Sequence, residues 1–325
     1  MDEPDMDGSP LSRTRCHTTG ESLVMPAFSP DTPHLGGRQG PRNVERTNKL
    51  SSASEISPAQ AASLLDALTA IVARASKVIL DIAAGGVAYR LKGDQSPVTA
   101  ADEASEAVIL EGLAQVLPGV PVVAEEMTSK GTVPALDGSF ILVDPLDGTK
   151  EFIAGRDEFT VNVAVVSGGA PIAGVISAPK RGDLWRGVVG IKAEHLRLKA
   201  DGADQARAIH ARRWPAQGAV AVVSRSHYDP ATDALLARLP PVAHDSSGSS
   251  IKFCRIAEGA ADIYPRLGTT CEWDIAAGHA IVVAAGGIVT APQGTPLPYG
   301  RARENFRVPA FIAWGDPAMA ASLKL

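Results

Sequence analysis

Asp144-Pro145-Leu146-Asp147-Gly148-Thr149 concentrates more chemistry than any other stretch of the chain. It follows the apolar run Phe140-Ile141-Leu142-Val143, which reads as a buried strand. A strand therefore ends in a turn that displays two carboxylates three positions apart. Pro145 fixes φ at the start of that turn and Gly148 permits a tight backbone. Both carboxylates and the Leu146 carbonyl can then converge on one hard cation. Magnesium takes oxygen ligands and keeps positions free for water and phosphate. Thr149 to Ile153 reads as the start of a short helix. The Gly148 and Thr149 amides lie at its positive end, which suits phosphate, and the Thr149 hydroxyl can orient a water. On the two Asp residues alone, the plainer reading of an acidic turn with a helix cap prevails.

Two further acidic positions weigh against that plain reading. Glu125-Glu126 follows the strand-like Val122-Val123-Ala124. Asp274 follows Trp273 and opens the apolar helix Ile275 to Ala285. Singly, Glu125 reads as a solvated loop carboxylate and Asp274 as an N-cap. Together, four carboxylates at the ends of apolar elements would repel one another without a cation. A two-metal site resolves the repulsion and supports phosphoryl transfer.

These residues sit within a wider pattern: S-P-V-T-A-A-D at 96–102, A-E-E at 124–126, D-P-L-D-G-T-K-E-F-I at 144–153 and F-T-V-N-V-A at 159–164. Further on come S-R-S-H at 224–227, G-S-S-I-K-F-C at 248–254, Y-P-R at 264–266 and W-D-I-A-A-G-H-A at 273–280. The set resembles the inositol monophosphatase superfamily, the lithium-sensitive magnesium phosphatases, from about residue 58 to the C-terminus. Lys150-Glu151-Phe152, S-R-S-H and G-S-S-I-K resemble its bisphosphate-nucleotidase branch more than its inositol phosphatases. The resemblance implies that Glu125, Asp144 and the Leu146 carbonyl bind one magnesium ion, and Asp144, Asp147 and Asp274 a second. It implies that Asp102 and Thr149 activate the attacking water, and that the Gly148 and Thr149 amides hold phosphate oxygens. By position alone, Asp102 is a first-turn helix acid.

The implied substrate is 3'-phosphoadenosine 5'-phosphate, hydrolysed to AMP and phosphate, with its 5'-phosphosulfate relative as a second candidate. Lys252, Arg266 and Arg225 suit the non-reacting phosphate. Ser224, His227 and Gly248 match positions that line the nucleotide. Against these stand a solvated helix lysine for Lys252 and an ordinary loop histidine for His227. Two departures touch no implied ligand: Leu136-Asp137-Gly138-Ser139 lacks a bulkier aromatic, and Arg307-Val308 follows Phe306 where the family has Leu-Asn. The second puts a pocket role for that segment in doubt. An inositol or sugar phosphatase with the same metals remains an alternative, as does a phosphonucleotide sensor without catalysis.

The elements that must position these groups are legible in the periodicity. Residues 1–57, rich in Ser, Thr, Pro and Gly, read as a disordered extension. A helix starts at Pro58 and stops at Gly85-Gly86, and a second covers Ala100 to Leu117. Strands are expected at 121–124, 139–143, 159–167, 172–177 and 184–189, with a hairpin turn at 168–171. Beyond a polar stretch at 200–213, strands near 219–223, 261–264, 287–291 and 309–313 alternate with helices near 230–239, 249–259 and 274–285. This gives an α+β metal-binding domain over 58–205 and an α/β domain over 206–325. The resemblance implies the sugar-phosphatase fold, a layered α-β-α-β-α sandwich.

Composition sets outer limits. The chain has 325 residues, 45% hydrophobic and 21% charged, with net charge -5, so no bulk basic field gathers nucleic acid. No apolar run spans a bilayer, and the first residues lack a signal h-region. Cys16, Cys254 and Cys271 are odd in number and widely spaced, which suits a reducing, cytoplasmic setting. The resemblance adds a peripheral place on the inner membrane face as an alternative.

Overall fold

The computed structural model describes residues 55–323 apart from 94, 200–201, 204 and 226–229. The expected extension and Cys16 therefore lie outside the described residues, save Glu55 to Ser57. Burial begins at Ile56, whose amide donates to Ser139 Oγ at 2.7 Å.

Helix α1 (Pro58–Ala84) starts in a capping box between Ser57 and Gln60, with Pro58 in its first turn. A short antiparallel hairpin follows, β1 (Tyr89–Leu91) with β2 (Pro97–Thr99). Helix α2 (Ala100–Val116) is capped by Thr99, and Asp102 closes that capping box. Then come β3 (Val122–Ala124), α3 (Glu125–Ser129), β4 (Phe140–Asp147) and α4 (Thr149–Ile153). Strands β5 (Thr160–Ser167), β6 (Ala170–Ala178), β7 (Asp183–Val188), β8 (Lys192–Lys199), β9 (Gly202–Ala203) and β10 (Arg207–Ala208) complete the first half.

These strands form an eight-stranded sheet in the order β10-β8-β7-β6-β5-β4-β3, with β9 added on β8. All neighbours are antiparallel except β3 and β4, whose parallel pairing brings Ala124 and Val143 to the same end of the sheet.

The second half contains β11 (Ala219–Ser224), α5 (Pro230–Leu236), β12 (Val242–Ser247), α6 (Ile251–Ala257), β13 (Ile263–Arg266), β14 (Thr270–Cys271) and α7 (Glu272–Ala284). It ends with β15 (Ile288–Thr290), β16 (Arg307–Val308), β17 (Phe311–Trp314) and α8 (Pro317–Ser322). Its sheet has five strands in the order β12-β11-β13-β17-β15, while β14 and β16 pair separately.

Three buried clusters stack these elements. Strand β4 sends Ile141 and Val143 to a core shared with Leu65, Leu68 and Val72 of α1. Its alternate residues Phe140 and Leu142 face a second core with Ile275, Ile281 and Val282 of α7. That second core also takes Val222 and Phe311 from the five-stranded sheet, whose other face buries Ile263 and Ile312 with Leu235 and Leu236 of α5. The order is α1 and α2, sheet, α6 and α7, sheet, α5 and α8: the expected five-layer sandwich. Asn48–Leu325 form one compact unit, and the expected boundary near 205 falls inside the first sheet, between β9 and β10, with the second sheet starting only at Ala219.

One contact sets where α7 lies. A Cβ on Gly174 of β6 would stand 2.3 Å from the Ala277 carbonyl oxygen, so helix and sheet backbones meet directly.

Candidate active site

Strand β4 does not stop at Val143. It continues through Asp147, with its register against β5 slipping between Asp144 and Asp147. Pro145 lacks an amide and is tolerated at such an irregularity. Ser105 Oγ of α2 pins the bulge by donating to the Pro145 carbonyl at 2.7 Å. Gly148 then takes φ +89°, where its Cβ would also press on the Glu158 carbonyl at 3.1 Å. Helix α4 begins at Thr149, as expected.

A cavity of about 340 Å³ opens at this bulge, and Glu125, Asp144, Asp147 and Asp274 share its wall. Leu146, Gly148, Thr149, Ser224, Gly248, Lys252 and Arg266 line it too. The four acids arrive from the start of α3, the end of β4 and the first turn of α7. Burial raises Asp144 well above the ordinary carboxylate range, with Glu125, Asp147 and Asp274 adding repulsion. Burial lifts Glu125 to about 8 against the pull of Lys92, and Asp274 adds to the rise. Asp274 is lifted to about 6, by burial first and then by Asp147.

Several oxygens are already engaged. Asp144 Oδ1 accepts from the Leu146 amide at 3.1 Å. Asp274 Oδ2 accepts from the Cys271 amide at 2.9 Å and from the Thr270 hydroxyl. Lys92 Nζ donates to Glu125 Oε1 at 2.8 Å and to Glu126 Oε1 at 2.6 Å. Among the described residues, no three His, Cys, Asp or Glu side chains already close around one point.

Asp102 is not part of the cavity wall. It lies buried behind Thr149, whose hydroxyl donates to Asp102 Oδ1 at 3.1 Å. The other Asp102 oxygen accepts from the Thr99 amide at 2.8 Å and the Thr99 hydroxyl at 2.6 Å. The helix-capping role and the contact with Thr149 thus coexist on two different oxygens.

In the same cavity wall Lys252 is buried, not solvated. Its ammonium donates to the Ser247 and Ser249 carbonyls at 3.2 and 2.5 Å and lies 5.1 Å from the Tyr264 ring centre. Burial lowers its pKa to about 8. Arg266 Nη1 reaches Ser224 Oγ at 3.4 Å. Arg225 departs from expectation: it is drawn onto the buried Glu158 carboxylate and donates to the Ser246 carbonyl at 3.1 Å, outside the cavity wall. His227 lies outside the described residues.

Comparison with known proteins identifies the family. The model of the inositol monophosphatase family matches residues 60–313. The chain belongs to the inositol monophosphatase family. Among curated relatives, the 3'(2'),5'-bisphosphate nucleotidase CysQ of Salmonella typhimurium is 40% identical over 258 residues, covering 76% of this chain and 98% of that one. The CysQ of Escherichia coli K12 is 42% identical over 228 residues, covering 68% and 86%. Among solved structures, CysQ from Bacteroides thetaiotaomicron superposes with TM-score 0.63 at 36% identity, covering 77% of this chain and 96% of that one.

Around this cavity stand several residues that the sequence reading does not single out. Lys92 follows a three-residue strand, and nothing in its spacing points to Glu125. Glu151, Ser249, Ser250, Tyr264 and Thr270 line the cavity inside or beside recognised motifs, so their motif membership was the available signal. Arg307 also lines the cavity, which answers the doubt about its segment. Asn305 and Phe306 take φ of +53° and +56° there, and the buried Phe306 ring packs 5.8 Å from Trp273. His279 is a satisfied core residue, with Nδ1 2.8 Å from the Tyr299 hydroxyl.

Proposed function

We propose that this phosphomonoesterase is a magnesium-dependent 3'(2'),5'-bisphosphate nucleotidase that hydrolyses 3'-phosphoadenosine 5'-phosphate to AMP and phosphate. The observation that carries the reading is one cavity whose wall carries four carboxylates together with the cationic Lys252 and Arg266. Such a site can hold a reacting phosphate and a second anionic group at once. The 5'-phosphosulfate relative has the same charge layout and falls within the same reading.

The donors fit the ion. Carboxylates raised by burial and by one another gain most from a hard divalent cation among them. Glu125, Asp144, Asp147, Asp274 and the Leu146 carbonyl would hold two or more magnesium ions, with Lys92 yielding its place on Glu125. When bound, magnesium supplies Lewis-acid stabilisation of the phosphoryl oxygens and of the leaving oxygen.

The rest of the work falls to the chain. Thr149 Oγ1 gives its own proton to Asp102 Oδ1, so its lone pairs are free to accept from the attacking water. That contact orients the water and gives its proton a route to Asp102, a buried carboxylate that burial makes more basic than usual. The Gly148 and Thr149 amides face the equatorial phosphate oxygens. Lys252 and Arg266 take the non-reacting phosphate, and Ser224 and Gly248 line the nucleotide, as His227 would. A reducing, cytoplasmic setting belongs to the same reading; among the described residues no helix is long and apolar enough to cross a membrane.

Phosphate release with magnesium tests this directly, comparing 3'-phosphoadenosine 5'-phosphate with inositol 1-phosphate. The expected result is strong preference for the nucleotide. Preference for the inositol ester would make this an inositol phosphatase, and nucleotide binding without release a sensor.

A further inference from the structure

Asp147 faces Thr160 across the β4–β5 pairing, just as Asp144 faces Asn162. Side chains from β5 and from the start of α6 fill the space behind them. Ser249 Oγ donates to Asp147 Oδ2 at 2.6 Å. Ser249 Oγ lies 2.5 Å from Thr160 Oγ1, which lies 2.7 Å from Ser250 Oγ. Ser250 Oγ lies 2.7 Å from Asn162 Oδ1, while the Asn162 Nδ2 atom is buried with no partner. Thr160, Ser250 and Asn162 are themselves buried.

Counting protons fixes the direction of this chain. With a cation held on the Asp147 carboxylate, both ends of the chain, that carboxylate and an amide oxygen, only accept. Three hydroxyl protons cannot then serve the four links, and one pair of oxygens would be left with no hydrogen between them. Turning the Asn162 amide over removes the deficit, because amide oxygen and nitrogen fill nearly the same space. Nδ2 then donates to Ser250, Ser250 to Thr160, Thr160 to the nearer Ser249 rather than directly to Asp147 Oδ2 at 3.5 Å, and Ser249 to Asp147. The turn also rescues an orphaned N–H, leaving a carbonyl oxygen that is tolerated more often.

We propose that Asn162, Ser250, Thr160 and Ser249 are positioning residues: a one-way hydrogen-bond relay that ends on Asp147 Oδ2 and turns that carboxylate toward the cation. The inference rests on the reading that Asp147 holds a cation. Each donor in such a chain polarises the next, so its far end strengthens the last bond. The backbone supports the arrangement. Ser249 takes φ +54°, in the left-handed region, and this brings its hydroxyl to Asp147 and its carbonyl to Lys252 Nζ.

Calorimetric titration of magnesium into the full chain, without nucleotide, reads the relay independently of turnover. Thr160→Val and Ser250→Ala should each weaken the ion by about 10-fold or more, the usual scale for groups that orient a ligand. Thr160→Ser should bind as the natural protein does. Thr160→Val with Ser250→Ala should be no worse than Thr160→Val alone, because links in series fail together. Metal-free melting curves confirm that each variant is folded, and Ser250→Ala carries the test if Thr160→Val is not. Natural affinity in both folded single variants, beside weakened binding in Asp147→Asn, would overturn the relay alone. So would a double variant whose loss is the product of the single losses. Undiminished binding in Asp147→Asn would overturn the cation reading and the relay together.

Discussion

A buried carboxylate among three others stays charged only if something shares its charge, and here Asp144 is the most confined of the set. Asp144→Asn should abolish turnover, and retained activity in a phosphate-release assay would remove the two-ion assignment. Asp102 is further from the cavity but bound to it through one hydroxyl. Asp102→Ala should lower kcat by about 10²–10⁴-fold, the range for general bases. It should also lower the melting point modestly through the lost cap. Thr149→Ser, which keeps the hydroxyl, should retain most of kcat. At this scale the sequence is legible where residues come in motifs. Asp144, Asp147, Thr149 and Asp274 were readable because strand, turn and helix signals surround them. Lys92 was not, because its ion pairs span 33 and 34 positions and no local pattern encodes them. Arg225 misled for the same reason: Glu158, which holds it, lies 67 positions away.

At the scale of elements, the acids are only as well placed as the strands and helices that end at them. Asp274 stands in the first turn of α7, three residues before Ala277, where the helix meets β6 at Gly174. Gly174→Ala should destabilise the fold by about 1–3 kcal/mol through overpacking. It should weaken magnesium binding as well, since α7 must move. Denaturation and calorimetry on one sample check both, and a stability loss with unchanged ion affinity would detach α7 from the site. The long helices and apolar strands were readable from their periods. Strand β12 was not: Val242-Ala-His-Asp-Ser-Ser is polar and mostly outside the core, as suits the edge of its sheet. The continuation of β4 through Asp147 was hidden by Pro145 and Gly148, which signal a turn whether or not a bulge keeps the pairing.

For the whole molecule, five layers place a sheet end, two helix starts and a loop around one cavity. The elevated acids make stability depend on pH in a definite sense. Glu125 is raised to about 8, so between about pH 6.5 and 8 it keeps a proton in the folded, metal-free chain that it has lost in the unfolded one, and Lys252, lowered to about 8, opposes this only at the top of the window. Its stability should therefore fall as pH rises through that window. Magnesium should reverse the trend, because it binds the deprotonated ligands. Melting points at pH 6.5 and 8, with chelator and with magnesium, check both signs. A magnesium shift larger at pH 6.5 than at pH 8 would contradict the assignment. The layering itself follows from alternating apolar strands and helices, whereas the meeting of Lys252 with the acids in one cavity wall is a property of the closed fold alone.

The central claim is that one cavity reads two anionic groups, reacting one and holding the other. It is tested by kcat/KM for 3'-phosphoadenosine 5'-phosphate against 3'-AMP, in the natural protein and in Lys252→Ala. The natural protein should prefer the bisphosphate by about 10–100-fold, the scale of a charge-assisted hydrogen bond. Lys252→Ala should lose most of that preference while its rate on 3'-AMP stays nearly unchanged. Equal use of both substrates by the natural protein, or a preference that survives in Lys252→Ala, would contradict the account.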